Sequence, residues 1–487
     1  MEAKQDRSLR CKQKKFVYLY SLALIIAFSP SKALGQFLPL IFFTGLIFWV
    51  GIRPNYHLKK LALLVIAYAV IGLFYWILLP EFWFLNYFLF FVTISSVFLL
   101  ILDFSLILSQ TLLLRLGKIT FAIIFLESLY GLVQAFYGYS RAGGRFDSDV
   151  GDIVWGTLAP PFNTQVYSGN SPFFIILISC LLMFVLAISA KKISILRFLA
   201  YILIFLCWLL ASLLHSLLYF AVALIIAILV LAFSSIKVER MRNGYVSVKS
   251  RGTKGIAVLL FAMAFLFSLG FVIHPNNFAR ISRVLVSLTE IGPDAHYRKL
   301  RVIYFTLIEI PDTLPIQPLL GVGPGQYASR AALMASGQYL KRASLPLPVY
   351  AGSFASEYIL PFIGFGTSSN HFPSSSWIAL YGEMGAVGLI IALFVFAKYF
   401  NRFRKYRSYL FPRMNLAMLT LLLYIGLMGL QNVYWEYTQA IFVPLLTLRL
   451  GYQYLKYERD LARRADFSAY KKSDDILKTA SSDGLTG

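Results

Sequence analysis

Apolar residues along this chain gather into long runs separated by short polar and basic stretches. A helix needs about 20 apolar residues to cross a hydrocarbon core, with a range of about 17–25. Runs of that kind lie near 16–34, 37–52, 61–79, 82–102, 119–137, 172–190, 198–214, 216–234, 256–273, 377–397, 414–430 and 439–455. Pro30 and Gly35 interrupt the first two. The stretch 103–118 is only partly apolar and either extends a neighbour or lies in the interface. The pattern predicts an all-α polytopic membrane protein of about 12 transmembrane helices.

The polar stretches divide the chain further. Residues 1–15 form a basic tail, 16–273 carry nine spans with an outer loop at 138–171, and 274–376 form a large outer loop. Residues 377–455 carry three spans, and 456–487 make a polar tail expected to be disordered at its end. Within the large loop, 296–310 reads as an amphipathic helix, with Tyr297, Leu300, Tyr304, Leu307 and Ile308 at helical spacing. The stretch 278–291 reads similarly. Pro311, Pro315 and Pro318, a glycine-rich turn and a second loop-like stretch at 346–376 follow. Loops of this length in a compact protein are usually functional. The internal repeat that marks many secondary transporters is not visible.

Composition turns the run pattern into a class. The 487 residues are 59% hydrophobic and 14% charged, with mean hydropathy +0.70, against roughly 45–50% and about 25% for a soluble domain. That excludes a cytoplasmic enzyme, a secreted protein and a disordered scaffold. The net charge of +23 does not point to nucleic acid, because Lys and Arg sit in short runs between apolar segments rather than on one soluble face. The inner loops 237–254 and 398–413 carry six basic residues each, so the positive-inside rule puts both termini in the cytoplasm. The first run reads as an uncleaved span rather than a signal peptide. Cys11, Cys180 and Cys207 do not pair within one outer loop, and neither a disulfide nor a metal site is expected.

The outer loops hold an unusual number of cations: Arg141 and Arg145 in the first, and Arg280, Arg283, Arg298, Lys299, Arg301, Arg330, Lys341 and Arg342 in the second. Arginine offers a planar fork of donors suited to phosphate oxygens, and Arg298 with Arg301 would lie at headgroup level on a surface helix. Snorkelling to headgroups, or pairing with Asp147, Asp149, Asp294 and Glu309, is the plainer reading. Gly321, Gly323 and Gly325 allow close backbone approach to a substrate or a neighbouring helix, in a stretch without the ending of a P-loop. His371, just before the span at 377, has the ordinary imidazole range suited to a general base. It could equally be an ordinary interfacial histidine. Glu127 and Glu383 lie within runs, where a carboxylate is costly unless paired or facing a cavity. Either could bind sugar hydroxyls or pair with a loop arginine.

In order along the chain, three features resemble the O-antigen ligase and O-antigen polymerase superfamily. The span ending ESLYGLVQAFYG (127–138) precedes the loop with Arg141 and Arg145. RKLRVIYFTLIEI (298–310) runs to PLLGVGPGQY (318–327), and a histidine precedes WIALYGEMGAVGLIIAL (377–393). The family's histidine position falls at Ser374, three residues after His371. The resemblance implies a GT-C-like, metal-independent, inverting membrane glycosyltransferase with an undecaprenyl-diphosphate-linked oligosaccharide donor and no cofactor. It implies diphosphate binding by Arg145, Arg298, Arg301 and Arg141, a catalytic base at His371, and a substrate cavity walled by the glycine turn, Glu383 and Glu127. The implied setting is the periplasmic side of a bacterial inner membrane, beside a chain-length regulator and a flippase. A polymerase of repeat units is expected first, with a ligase to lipid A-core or protein next. A flippase for lipid-linked oligosaccharide stands as the alternative of another class.

Overall fold

The computed structural model describes residues 2–51, 54–79, 81–103, 107–141, 154–158, 171–189, 194–211, 214–234, 237–240, 246–249, 268, 291–295, 297–337, 352–362, 374–405, 408, 411 and 413–483. In chain order, eight helices come first: α1 (Glu2–Ala27), α2 (Lys32–Thr44), α3 (Pro54–Leu78), α4 (Phe84–Thr93), α5 (Gln110–Arg141), α6 (Ser171–Ile188), α7 (Ile195–Leu210) and α8 (Leu214–Ser234). Strands β1 (Lys237–Arg240) and β2 (Val246–Lys249) pair antiparallel, Lys237 opposite Lys249. Short helices follow: α9 (Arg298–Tyr304), α10 (Ile310–Thr313), α11 (Gln317–Leu320), α12 (Arg330–Ala335) and α13 (Ser353–Tyr358). Three long helices close the chain: α14 (Ser376–Lys405), α15 (Met414–Gln431) and α16 (Thr438–Asp483).

The helical class expected from the apolar runs is what the chain adopts, apart from the small β1–β2 ribbon. Among the described residues four helices are long and apolar enough to cross a membrane: Gln110–Ser140, Ser171–Ile188, Ser376–Lys405 and Met414–Gln431. Shorter apolar helices, Leu34–Trp49, Val65–Leu78, Phe84–Thr93, Ile195–Leu210 and Ser216–Ala232, fall on other runs. The run at 256–273 lies outside the described residues except for Ser268, and 278–290 lies outside them altogether.

Several elements differ from the sequence expectation for local reasons. The run 82–102 is not one helix, because α4 stops at Thr93 and a 3₁₀ segment, Ser95–Leu100, follows. Thr93 Oγ1 donates to the Phe90 carbonyl (2.9 Å) and Ser95 Oγ to that of Val92 (2.6 Å), a side-chain competition that weakens helix propagation. Part of 103–118 extends a neighbour, since α5 begins at Gln110. The tail expected to be disordered at its end continues α16 as helix to Asp483.

The outer amphipathic helix is also reorganised. A π turn, Phe305–Glu309, separates α9 from α10, and the Ile310 N–H reaches the Phe305 carbonyl. Pro311 cannot donate and would clash in a regular helix, and the wider turn lies directly ahead of it. The inserted residue rotates the buried face. Leu300, Val302, Phe305, Thr306 and Ile310 are buried, whereas Leu307 and Ile308 are 55% and 48% exposed. The five-residue stripe read from spacing is therefore buried only in part.

Two apolar cores organise these elements. The larger joins α1, α2, α5, α6, α14, α15 and α16, with Phe16, Tyr20, Phe42, Trp155, Phe174, Phe184 and Tyr424 fully enclosed. Phe42 meets Phe442 edge to face at 5.2 Å, a favoured aromatic geometry. The smaller lies among the short helices and includes Val302, Phe305, Ile310, Val322, Tyr327, Leu333, Tyr358 and Ala379. The segment 298–362 therefore has, in its described parts, a core of its own that rests on α14.

Candidate functional site

The glycine turn and α14 interlock. Gly321, Gly323 and Gly325 have φ of 75°, 98° and 80°, a region costly for residues with a Cβ. Helix α14 is broken at Gly385 (φ 59°, ψ −156°). A Cβ on Gly321 would lie 2.2 Å from the Glu383 carbonyl carbon, and one on Gly385 would lie 2.4 Å from that of Leu319. Two backbones thus touch where only glycine fits. The Val322 and Gly323 amides donate to the carbonyls of Gly382 (2.9 Å) and Glu383 (3.0 Å), which the break in α14 leaves open.

The Glu383 carboxylate completes this joint. Its Oε2 accepts from Gly325 N (2.6 Å), and its Oε1 accepts from Tyr327 N (3.1 Å) and Ser329 N (2.8 Å). The residue is fully buried. Three charge-assisted bonds answer the burial problem, and the amides of a glycine-rich turn form the concave donor set that usually holds an anion. Here the anion is the protein's own. Of the two partners weighed for Glu383, a loop arginine does not pair with it among the described residues. Its carboxylate holds backbone.

A second buried carboxylate lies beside the first. Glu436 sits in the 3₁₀ turn Tyr434–Glu436 between α15 and α16. Its Oε2 accepts from Arg330 N (2.7 Å) at the start of α12, and Ser329 caps that helix by accepting from Ala332 N (3.2 Å). Burial raises the Glu436 carboxyl well above the usual range, and Glu383 adds to the rise, while the Arg330 and Ala331 amides and the Arg330 charge oppose it. The Arg330 guanidinium lies 4.1 Å above the Tyr437 ring. Its Nη1 donates to Gln36 Oε1 (2.7 Å) and to the Glu436 carbonyl (3.3 Å).

The α1–α2 connection is the floor on which these parts meet. Gln439 Nε2 donates to the Ser29 carbonyl and Thr438 Oγ1 to that of Gly35, each at 2.6 Å. Thr157 Oγ1 lies 2.8 Å from the Phe28 carbonyl and 2.6 Å from Glu127 Oε1. Thr157 N donates to Glu127 Oε2 (2.8 Å). Gln134 Oε1 takes the Trp155 and Gly156 amides (3.1 and 2.9 Å) and its Nε2 donates back to Gly156 (2.9 Å). Part of the loop between α5 and α6 thus turns inward, with Val154 and Trp155 fully buried. Glu127, like Glu383, binds backbone of a loop.

The cations of α9 are held by carbonyls. Arg298 Nη1 donates to Phe362 (2.8 Å), and Arg301 Nε donates to Ala295 (2.5 Å). The Arg301 guanidinium also faces the Phe362 ring at 5.5 Å. Both arginines remain partly exposed on one helical face. Lys299 turns the other way, and its ammonium donates to the Gln431 carbonyl at the end of α15, where a helix favours a cation. Burial pushes this lysine down to about 7.

The structure therefore brings Gly321, Gly323, Gly325 and Glu383 together, and sets Arg298 and Arg301 side by side on one partly exposed helical face. Glu127 stands apart from that joint, bonded to Thr157, whose hydroxyl also meets the Phe28 carbonyl. Arg141 is the last residue of α5, and Arg145 and His371 lie outside the described residues. Ser374, at the family's histidine position, is fully buried. No family model, no curated protein and no solved structure matches the chain. Sequence reasoning gave no role to Gln36 or Glu436 and only a general one to Lys299 and Arg330. The signal for Glu436 was a lone carboxylate between the last two apolar runs. The signal for Arg330 was an arginine directly after a serine able to cap a helix.

Proposed function

We propose that this protein is an inner-membrane polysaccharide polymerase. It would cross the membrane about twelve times with both termini cytoplasmic and join undecaprenyl-diphosphate-linked repeat units of O-antigen, capsule or exopolysaccharide on the periplasmic side. The observation that carries the reading is the joint between PLLGVGPGQY and WIALYGEMG. Two of the three stretches on which the family resemblance rests are one structural unit, locked through Gly321, Gly385 and Glu383. Segments with separate tasks would not need a shared backbone contact.

In the proposed reaction His371 takes the proton of an acceptor sugar hydroxyl. That oxygen attacks the anomeric carbon from the face opposite the carrier, and the bond to the diphosphate oxygen breaks with inversion. Arg298 and Arg301, with Arg141 at the end of α5 and Arg145 in the loop that follows it in sequence, stabilise charge on the departing undecaprenyl diphosphate. Arginine charge would serve in place of a metal ion. Glu383 and Glu127 act behind the wall, holding the turn and the inward loop in place.

The test uses the purified protein, a synthetic undecaprenyl-diphosphate repeat unit and no added metal. A ladder of products on the carrier supports the polymerase. Transfer only when lipid A-core is supplied makes the protein a ligase, and no carrier release under either condition sinks the transferase reading and puts the flippase first. Arg298→Ala and Arg301→Ala are expected to lower turnover at least tenfold each. Wild-type turnover in both would remove the diphosphate clamp. His371→Ala is expected to abolish turnover, and unchanged activity would move the base elsewhere in 370–376.

A further inference from the structure

Helix α14 is the least enclosed of the four long apolar helices, and its two faces separate cleanly. Gly388, Tyr399 and Phe403 are buried against the bundle. Val387, Ile390, Ile391 and Phe394 are exposed, Phe394 to 70%. At about 100° per residue these four side chains share one arc of the helix. Continued towards the C-terminus, the same arc carries Lys398 and Lys405, with Arg402 at its edge. An apolar stripe about 10 Å long thus runs directly into a basic one of about the same length.

Protein leaves these cations unanswered. Lys398 and Lys405 are exposed and have no hydrogen bond or ion pair among the described residues. Arg402 lies over the Tyr452 ring at 5.4 Å, which keeps its guanidinium beside the stripe. The described acids at this end of the bundle are engaged elsewhere. Asp103 accepts from Gln453 (3.2 Å), Glu458 from Ser408 (2.6 Å), and Asp460 pairs with Arg459 (3.1 Å). Like charges three and four residues apart on a helix repel one another. Arg402 stands four residues after Lys398 and three before Lys405, so an anion bound among them relieves both repulsions.

We propose that the exposed face of α14 is a binding site for an anionic phospholipid. Its acyl chains would lie along Val387, Ile390, Ile391 and Phe394, and its phosphate among Lys398, Arg402 and Lys405. Lysine and arginine stems run along apolar surface and deliver their charge at headgroup level. The ligand must carry both an apolar tail and a net negative head, because the two stripes share one face. A zwitterionic lipid brings a cation of its own into an already basic place. The site lies at the opposite end of α14 from the Gly385 joint and does not depend on the transferase reading.

The experiment is native mass spectrometry of the full-length protein in detergent, titrated with phosphatidylglycerol and, separately, with phosphatidylcholine of the same acyl chains. Phosphatidylglycerol is expected to bind at least tenfold more tightly and to raise the melting temperature. Inorganic phosphate at the same concentrations should leave the melting temperature unchanged. Lys398→Gln with Lys405→Gln should weaken phosphatidylglycerol binding at least fivefold. Both side chains are exposed and unbonded, so the lipid-free melting temperature should stay at wild type. Arg115→Gln with Lys118→Gln removes two exposed cations near the start of α5 and should leave the affinity as it is. Equal affinity for the two lipids, undiminished binding by the α14 double variant, or an equal loss in both double variants overturns the proposal. So does a shift that inorganic phosphate alone reproduces, which would make the place a free-anion site.

Discussion

At the residue scale, the buried acids Glu383 and Glu436 act on backbone, and that fixes what their loss should do. Glu383→Gln keeps the shape of the side chain but puts an NH2 where an amide now donates. It also replaces charge-assisted bonds by neutral ones. A loss of about 1–3 kcal/mol is expected, read as a lower unfolding temperature in detergent. A melting temperature equal to wild type would mean that the carboxylate does not hold the turn. Lys299 gives a pH signature. The unfolded lysine keeps its proton to the ordinary value near 10.4, whereas the folded one releases it near 7. Between those values the unfolded chain binds more protons, so stability rises with pH across that window. Lys299→Met should remove that part of the slope in melting curves taken from pH 6.5 to 9.5. The sequence showed Glu383 to be a charge in need of a partner. It could not show that the partner would be the 325–329 backbone, because those donors exist only once the turn is folded.

At the scale of elements, the break in α14 and the glycine turn explain each other. Gly385 opens two carbonyls, the amides of Val322 and Gly323 close them, and Gly321 makes the approach possible. Gly321→Ala combines positive φ with a backbone clash and should lose about 1–3 kcal/mol from strain alone. At Gly292, where an added Cβ meets nothing within 4 Å, alanine should stay within about 0.5 kcal/mol of wild type. Equal melting temperatures for both variants would contradict the interlock. The outer helix carries the opposite lesson. Its apolar spacing was legible, but the π turn ahead of Pro311 changed which residues face inward. Leu307 and Ile308 are left exposed as a result, on a face suited to lipid.

At the scale of the molecule, elements far apart in sequence converge on the α1–α2 connection and the first turns of α2. Phe28, Ser29, Gly35 and Gln36 receive bonds from Thr157, Gln439, Thr438 and Arg330. Thr157→Val removes the hydroxyl link and should loosen the inward segment without disturbing the bundle. The expected readout is faster amide exchange at 154–158 with unchanged exchange in α6, and equal exchange at 154–158 would show that Gln134 and the Glu127 bond to the Thr157 amide suffice to hold the segment. The sequence by itself determined that this is a helical membrane-type protein, roughly where many of its helices fall, and which loop cations and in-run acids demand a partner. Those properties follow from transfer energies and periodicity, which are local. Only the tertiary structure decided that Glu383 and Glu127 grip loops, that the glycines serve a helix-to-turn joint, and that Arg330 and Gln36 stand together. Each of those depends on contacts between residues tens to hundreds apart, with distances set by packing the whole bundle at once.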